Sequence, residues 1–376
     1  MRRVAGRSCL ISYYSMRLKV IQHKSGYGYW MQDSVSPSRP INWYRSPLDS
    51  KDFKSLHEKS DFLAWLQTGG YLGVLLTTGG LVLYSGSHWP MLATVLLVIL
   101  HGMMCSFLIN AVHELGHNTV FATRGLNLFF TRLFSFISWT NYEMFNTSHT
   151  RHHRYTLHQP DDLEVVLPMK IILWHKLKYG IFNAGQVYWP WLGTLRVARG
   201  KFRGDWELKL FPEGSPERKA AMDWARTMLV GHGLILVVSI YFHLWLLPVV
   251  TTFSTAFGGW LQSLCNDTQH IGLQDDVPDF RLCCRTMTLN PVLQFLYWHM
   301  NYHIEHHMFA AVPCYRLGRL HRLIEQDLPP TPHGLVATWK EISAILKIQE
   351  KDPEYQYIAP LPGIPREQGE PALRPA

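Results

Sequence analysis

Two stretches of this chain run for about two dozen residues each without a formal charge: residues 62–84 (FLAWLQTGGYLGVLLTTGGLVLY) and 89–111 (WPMLATVLLVILHGMMCSFLINA). As α-helix, either is long enough to cross roughly 30 Å of hydrocarbon, where each backbone polar group must find its partner inside the segment. Residues 227–247 (TMLVGHGLILVVSIYFHLWLL) form a third such run, and residues 248–265 (PVVTTFSTAFGGWLQSLC) a shorter fourth at the lower edge for spanning. Four crossings are therefore predicted, and with them an all-α polytopic membrane protein. A buried core helix is the competing reading of any single run, and two long uncharged runs in succession argue against it. The mean hydropathy is nevertheless close to zero, because the polar connections are long.

Charge placement orients this arrangement. The connection after the first run (SGSH, 85–88) and the turn at Leu247-Pro248 hold no Lys or Arg, whereas residues 124–226 include Arg151, Arg154, Lys170, Lys176, Lys178, Arg196, Arg199, Lys201 and Arg203. Basic residues gather on the side that is not translocated, so the long loop and both termini are expected in the cytosol. The net charge of +8 then follows from topology and anionic headgroups, and no nucleic-acid recognition motif accompanies it. Six cysteines, at positions 9, 105, 265, 283, 284 and 314, show no CxxC spacing, so nothing points to a disulfide framework or zinc ribbon, and a reducing cytosolic face fits. The first 32 residues hold six basic side chains and no acidic one, as in a basic tail or an organelle transit peptide. A basic cytosolic segment (1–60), a membrane domain (61–328) and a cytosolic tail (329–376) are expected, the tail ending in a disordered proline-rich stretch.

The chain contains 20 histidines, and three clusters of them share one geometry. HELGH holds His113 and His117, HTRHH holds His149, His152 and His153, and HIEHH holds His303, His306 and His307. Positions i, i+3 and i+4 lie on one helix face, so each cluster is expected to aim its imidazoles the same way. HELGH begins two residues after the second run, HTRHH lies in the long loop, and HIEHH follows the fourth run on the same side, so all three meet at one membrane face. Eight imidazoles exceed the three or four protein ligands of a tetrahedral zinc site. They suit two metal ions with open positions, and imidazole alone does not choose among iron, copper and zinc.

HxxxH, HxxHH and HxxHH, in this order and alternating with pairs of apolar runs, resemble the three histidine boxes of the membrane fatty acid desaturase and hydroxylase family. The resemblance covers residues 62–328, about seventy percent of the chain. It implies a membrane domain capped by a cytosolic helical part that carries the boxes, in the endoplasmic reticulum of a eukaryote. It also implies a centre of two Fe2+ ions that uses O2 and electrons from an external donor, such as cytochrome b5 or ferredoxin, to oxidise an unactivated C–H bond of a lipid or other hydrophobic substrate. Fatty acyl desaturation is the expected reaction and hydroxylation the alternative. The eight box histidines would be ligands. In this family a further histidine, four residues after an asparagine, often completes the site. NDTQHIG supplies that arrangement, which makes His270 a ninth ligand and Asn266 a ligand through water. The chain departs from the front-end acyl desaturases in having His303 where they carry glutamine. It also lacks the HPGG haem motif of a fused cytochrome b5, so electrons would come from a separate protein.

Metal-bound imidazoles give their second nitrogen to a carboxylate or carbonyl. Glu114, Glu305, Asp161, Asp162 and Asn301 lie near enough in sequence to serve, with a solvated position as the alternative for each. His158 and His299 neighbour the boxes and are expected to remain outside the ligand set. His101, His232 and His243 lie in the apolar runs, where a neutral imidazole usually bonds another helix. Residues 126–139 read as an interfacial helix returning the second box to the membrane. Two other classes compete. HELGH also satisfies the HExxH pattern of a zinc protease with Glu114 as general base, which would need a further ligand, usually an aspartate in another span, and would leave six box histidines unexplained. A metal transporter would place its ligands near the bilayer midplane, whereas these clusters fall outside the apolar runs.

Overall fold

A computed structural model of the chain describes residues 40–169 and 171–363. The possible transit peptide and the last part of the proline-rich end lie outside these described residues, within which the fold is helical and forms only isolated β-bridges. Helix α1 (Ser50–Leu56) leads into α2 (Asp61–His88), which starts where the Ser60 hydroxyl accepts the Leu63 amide and Asp61 occupies the first turn. Trp89 and Pro90 turn the chain into α3 (Met91–Ser106), which α4 (Leu108–Gly116) continues past an interruption at Phe107. The polar middle of the chain forms α5 (Arg124–Ile137), α6 (Tyr142–Tyr155), α7 (Leu173–Ile181), α8 (Gly185–Ala198) and α9 (Gly204–Leu210). Helix α10 (Pro216–Tyr241) opens on a Ser215 cap with proline in its first turn.

Helices α2, α3–α4 and α10 are long and apolar enough to cross a membrane. They turn Leu76, Leu83, Leu92, Leu96, Val230 and Leu234 outward, as suits helices solvated by lipid. The third run is shifted from its expected place: α10 begins at Pro216 and stops at Tyr241, leaving residues 242–246 outside it.

The fourth expected crossing is not a continuous helix. It breaks into α11 (Leu247–Val250), a 3-10 turn (Ser254–Ala256) and α12 (Trp260–Asn266). Gly258 adopts a φ of +68°, open to glycine but strained for other residues, and a Cβ on it would collide with the Ile99 carbonyl of α3. Side chains from other parts of the bundle satisfy the carbonyls that the break frees. His101 Nε2 lies 2.9 Å from the Val250 oxygen, and the Trp139 indole donates to the Thr252 carbonyl at 2.7 Å. His101 also meets the Thr78 hydroxyl at 2.8 Å, and His232 meets the Thr252 hydroxyl at 3.1 Å and the Phe136 carbonyl at 3.0 Å. Both are cross-links between elements, while His243 is exposed beyond the end of α10.

The remaining helices are α13 (Phe280–Cys283), α14 (Pro291–Leu296), α15 (His303–Met308), α16 (Cys314–Ile324) and α17 (Gly334–Gln349). They fold over one end of the bundle. Tyr315 of α16 accepts the Ser60 amide at 2.8 Å and donates to the Val120 carbonyl at 3.0 Å. The expected C-terminal tail is packed structure as far as it is described. Trp339, Ile342 and Ile345 form a buried stripe along α17, and the Trp339 indole donates to the Leu264 carbonyl at 3.0 Å.

Candidate metal centre

Four parts of the chain converge at this capped end. The first box closes α4, with His113 in its last turn and His117 at its C-cap. The second occupies the last turns of α6. That helix is set against α10 by Asn141, whose amide donates to the Ala221 carbonyl at 2.8 Å and whose oxygen caps the Met144 amide. The third box is α15 itself, and the Thr286 hydroxyl accepts its Ile304 amide at 3.1 Å. His270 stands just beyond α12.

The imidazoles sort into two groups. Ligand-capable atoms of His113, His117, His149, His153 and His306 all lie within 4.8 Å of one another, as do those of His270, Cys284, His303 and His307. Rings of the first and third boxes approach to 4.6 Å at His113–His306, so HELGH and HIEHH share one end of the molecule. His153 and His307 stack at 4.3 Å and join the groups. The expectation that each cluster aims one way fails for both HxxHH boxes. His306 turns to the first group while His303 and His307 turn to the second, and His153 and His152 part in the same manner. Residues adjacent on a helix point about 100° apart, so an HH pair serves two sites. His152 lies beside the second group, its ring 5.2 Å from His270 and 5.0 Å from His307.

The donor set fits metal ions. His113, His117 and His149 each bury an Nε2 without a hydrogen-bond partner among the described residues, a costly arrangement unless a cation takes the lone pair. Other Nε2 atoms face one another: His303 and His270 at 2.9 Å, His307 and His303 at 3.1 Å, His306 and His153 at 3.1 Å. Neighbouring nitrogens about 2.0–2.1 Å from one ion would be separated by about 2.9–3.4 Å.

Outer partners fix the rings. Glu114 receives His113 Nδ1 at 3.0 Å and stands 3.4 Å from His306 Nδ1, so one buried carboxylate joins the first and third boxes. Asp162 holds His152 Nδ1 at 2.7 Å, Glu164 holds His149 Nδ1 at 2.8 Å, and the Cys283 carbonyl receives His270 Nδ1 at 2.8 Å. Burial, reinforced by neighbouring imidazoles, keeps His149, His153, His303, His306 and His307 well below the ordinary histidine range. Burial takes His117 to about 4 and His270 to about 3. These rings therefore stay neutral, with lone pairs free for cations. At His152 burial opposes the charge, but the Asp162 carboxylate and its hydrogen bond prevail, so its pKa is raised. Burial lifts Glu164 to about 7 against the pull of His152 and Ser148.

The other candidates separate cleanly. Asp162 and Glu114 meet box imidazoles. Asp161 instead pairs with Arg151 and Lys209; Asn301 donates to the Met287 carbonyl; Glu305 bonds His321 and the Thr286 hydroxyl. His158 bonds the Thr156 carbonyl and His299 lies against Gln294, both outside the two groups. Asn266 also lies outside them, with its Oδ1 receiving the Asn110 amide at 3.0 Å. Sequence reasoning missed Glu164 and Cys284. Glu164 follows Asp162 by two residues in the DDLE run, a signal that could have found it, but nothing in the sequence places Cys284 near a histidine. Glu114 spends Oε1 on His113 Nδ1, while its Oε2 is buried with no hydrogen-bond partner among the described residues.

Three apolar helices capped by two histidine groups define a membrane protein fitted to hold metal ions. The family model for fatty acid desaturase matches residues 87–339, which include all three boxes and His270. The chain belongs to the fatty acid desaturase family, and its clusters fit a di-iron oxidoreductase. No curated protein matches the sequence.

Proposed function

We propose that this protein is an O2-dependent di-iron enzyme that oxidises an unactivated C–H bond of a membrane lipid, with fatty acyl desaturation as its reaction. The observation that carries this reading is the pair of buried nitrogen groups, with orphaned lone pairs, in a chain of this family. His113, His117, His149, His153 and His306 would hold one iron. His270, His303 and His307 would hold the other, joined by His152 from its position beside them and by Asn266 through water. When bound, the two irons supply the site at which O2 is reduced and a C–H bond is attacked. Desaturation removes two hydrogens, and full reduction of O2 to two waters needs two further electrons and two protons. A separate electron-transfer protein, such as cytochrome b5 or a ferredoxin, would deliver those electrons on the cytosolic side, where the boxes and both termini would lie.

The chain's own residues provide orientation and dryness. Glu114, Asp162, Glu164 and the Cys283 carbonyl fix the ring directions, so each Nε2 is presented without reorganisation. The Cys284 thiol, which burial raises well above its ordinary range, would stay neutral and fill space beside the second group. Membranes containing the protein, supplied with candidate lipids, O2 and a reductase system, test the assignment by product mass. A product lighter by two hydrogens supports desaturation, and one heavier by an oxygen atom assigns the same centre to hydroxylation. No oxidised product with any acyl lipid, from protein loaded with iron, would refute the proposal.

A further inference from the structure

The positive charge of residues 124–226 assigns them to a loop outside the bilayer. Within that loop, however, the α7–α8 hairpin carries an apolar surface that no other described residue covers. Trp174 is 68% exposed and Ile181 and Leu192 are each 52% exposed, alongside Phe182, Tyr188 and Trp189. In water such a patch is unfavourable, and neither arm is long enough to register as a span.

Contacts fix the path of the hairpin. At its first foot, Lys176 Nζ pairs at 2.7 Å with Asp267, which lies three residues before His270 and so at the histidine end, and donates to the Ser263 hydroxyl at 3.0 Å. At its tip, the Gly258 amide donates to the Ile181 carbonyl at 3.0 Å and the Asn183 amide to the Ala256 carbonyl at 2.8 Å. Phe257 and Gly258 in turn lie against Ile99, Gly102 and Met103, near the middle of the Met91–Gly116 span. Helix α8 then returns along α10. Trp191 packs against Trp139 with ring centroids 4.7 Å apart, Val197 and Ala198 reach Ala221 and Ala225 in the first turns of α10, and Arg226 donates to the Ala198 carbonyl at 3.2 Å. Both feet are at the histidine end, and the tip lies on the order of 15–20 Å further along the bundle at the rise of an α-helix.

We propose that α7–α8 is a re-entrant hairpin that dips from the histidine face to about the middle of the bilayer, with Trp174, Ile181, Phe182, Tyr188, Trp189 and Leu192 against lipid chains. Its apolar surface continues that of α10, where Val230, Leu234 and Val237 also face outward. Backbone groups at the tip are satisfied, as hydrocarbon requires: the Asn183 side chain accepts the Gly185 amide at 3.0 Å, in addition to the bonds to residues 256 and 258. Lys176 is paired with Asp267 and Arg196 with Glu207. Lys178, in the last turn of α7, lies over the Tyr179 ring, and in this placement its ammonium would snorkel toward the rim.

The full-length protein in phosphatidylcholine vesicles tests this placement. With Cys9 replaced by serine and the five described native cysteines buried, single cysteines are introduced as Trp174→Cys, Ile181→Cys and Leu192→Cys and labelled with nitrobenzoxadiazole. Val237→Cys serves as the lipid control and Lys209→Cys as the water control. Ile181→Cys and Leu192→Cys should be quenched by acyl-chain nitroxide to the same extent as Val237→Cys and be insensitive to iodide. Ile181→Cys should favour the deep nitroxide and Trp174→Cys the shallow one. Iodide quenching like that of Lys209→Cys, or a preference of all three hairpin positions for the shallow nitroxide, would overturn the proposal; the latter describes a hairpin lying flat on the surface. Leu192 and Ile181 are both exposed, so failure of one variant to fold leaves the other to decide.

Discussion

Replacing Glu114 by glutamine separates the two enzyme classes that HELGH satisfies. In the structure its Oε1 receives His113 Nδ1 at 3.0 Å and lies 3.4 Å from His306 Nδ1, and the side chain is fully buried. The amide keeps the shape, but its single oxygen must serve both imidazoles while its NH2 takes the place of Oε2. Loss of a ligand's outer partner typically weakens metal affinity about 10–100-fold, or ~1.4–2.7 kcal/mol. Anaerobic titration of the apo-protein with Fe2+ or Co2+ should therefore show weakening of about this size for one of two metal equivalents. Glu305→Gln is the matched control, because that carboxylate bonds His321 and Thr286 and no box histidine. It should leave the affinity of both equivalents nearly unchanged. Unaltered metal affinity in Glu114→Gln, together with lost activity, would assign Glu114 to the chemistry and refute its orienting role.

His303→Ala should release the metal of the second group and abolish the oxidised product; elemental analysis showing both metals retained would contradict the grouping. Acidification should destabilise the apo-protein. Burial depresses seven histidines (His117, His149, His153, His270, His303, His306 and His307), so below the unfolded value of about 6.5 the unfolded state binds more protons, and each such group removes about 1.4 kcal/mol per pH unit down to its folded pKa. The raised His152 and Glu164 oppose this with fewer groups, so a thermal midpoint in detergent that is flat from about pH 7 to pH 5 would be inconsistent with the buried neutral cluster. Gly102→Ala would drive a Cβ into the Phe257 carbonyl of the broken segment and should cost about 1–3 kcal/mol; an unchanged melting temperature would show that residues 247–266 pack otherwise.

The sequence shows most where one residue type can do only one thing. Eight imidazoles in three tight spacings cannot be accounted for by packing, and the structure brings their helices to one end. The long spans are legible for a similar reason, since an uncharged run of that length has few other fates. The broken segment 247–266 was not legible, because its conformation depends on Gly258 meeting Ile99 of another helix and on His101 and Trp139 meeting its carbonyls. Those contacts exist only after the bundle forms. The orienting groups were half legible: Asp162 and Glu114 lie within a turn or a short loop of their imidazoles. Glu305, equally near in sequence, points away to His321, a matter of helix rotation that spacing does not resolve.

The doubled histidines explain why the motif is HxxHH and not the simpler HxxxH of the first box. A helix that supplies one metal site needs ligands at i and i+3 or i+4 only. Helix α15 sends His303 and His307, four apart, to the second group, and the extra His306 faces about 100° away into the first. Helix α6 repeats the device, sending His149 and His153 to the first group and turning His152 toward the second. Two short helices therefore each bridge both groups, and Glu114 ties the first box to α15 as well. A shift of α15 would disturb both groups together, which makes their geometry a property of one rigid unit. That coupling is what a reaction needing two metals at fixed separation requires, since misplacement on the order of 1 Å can cost about 100-fold in rate.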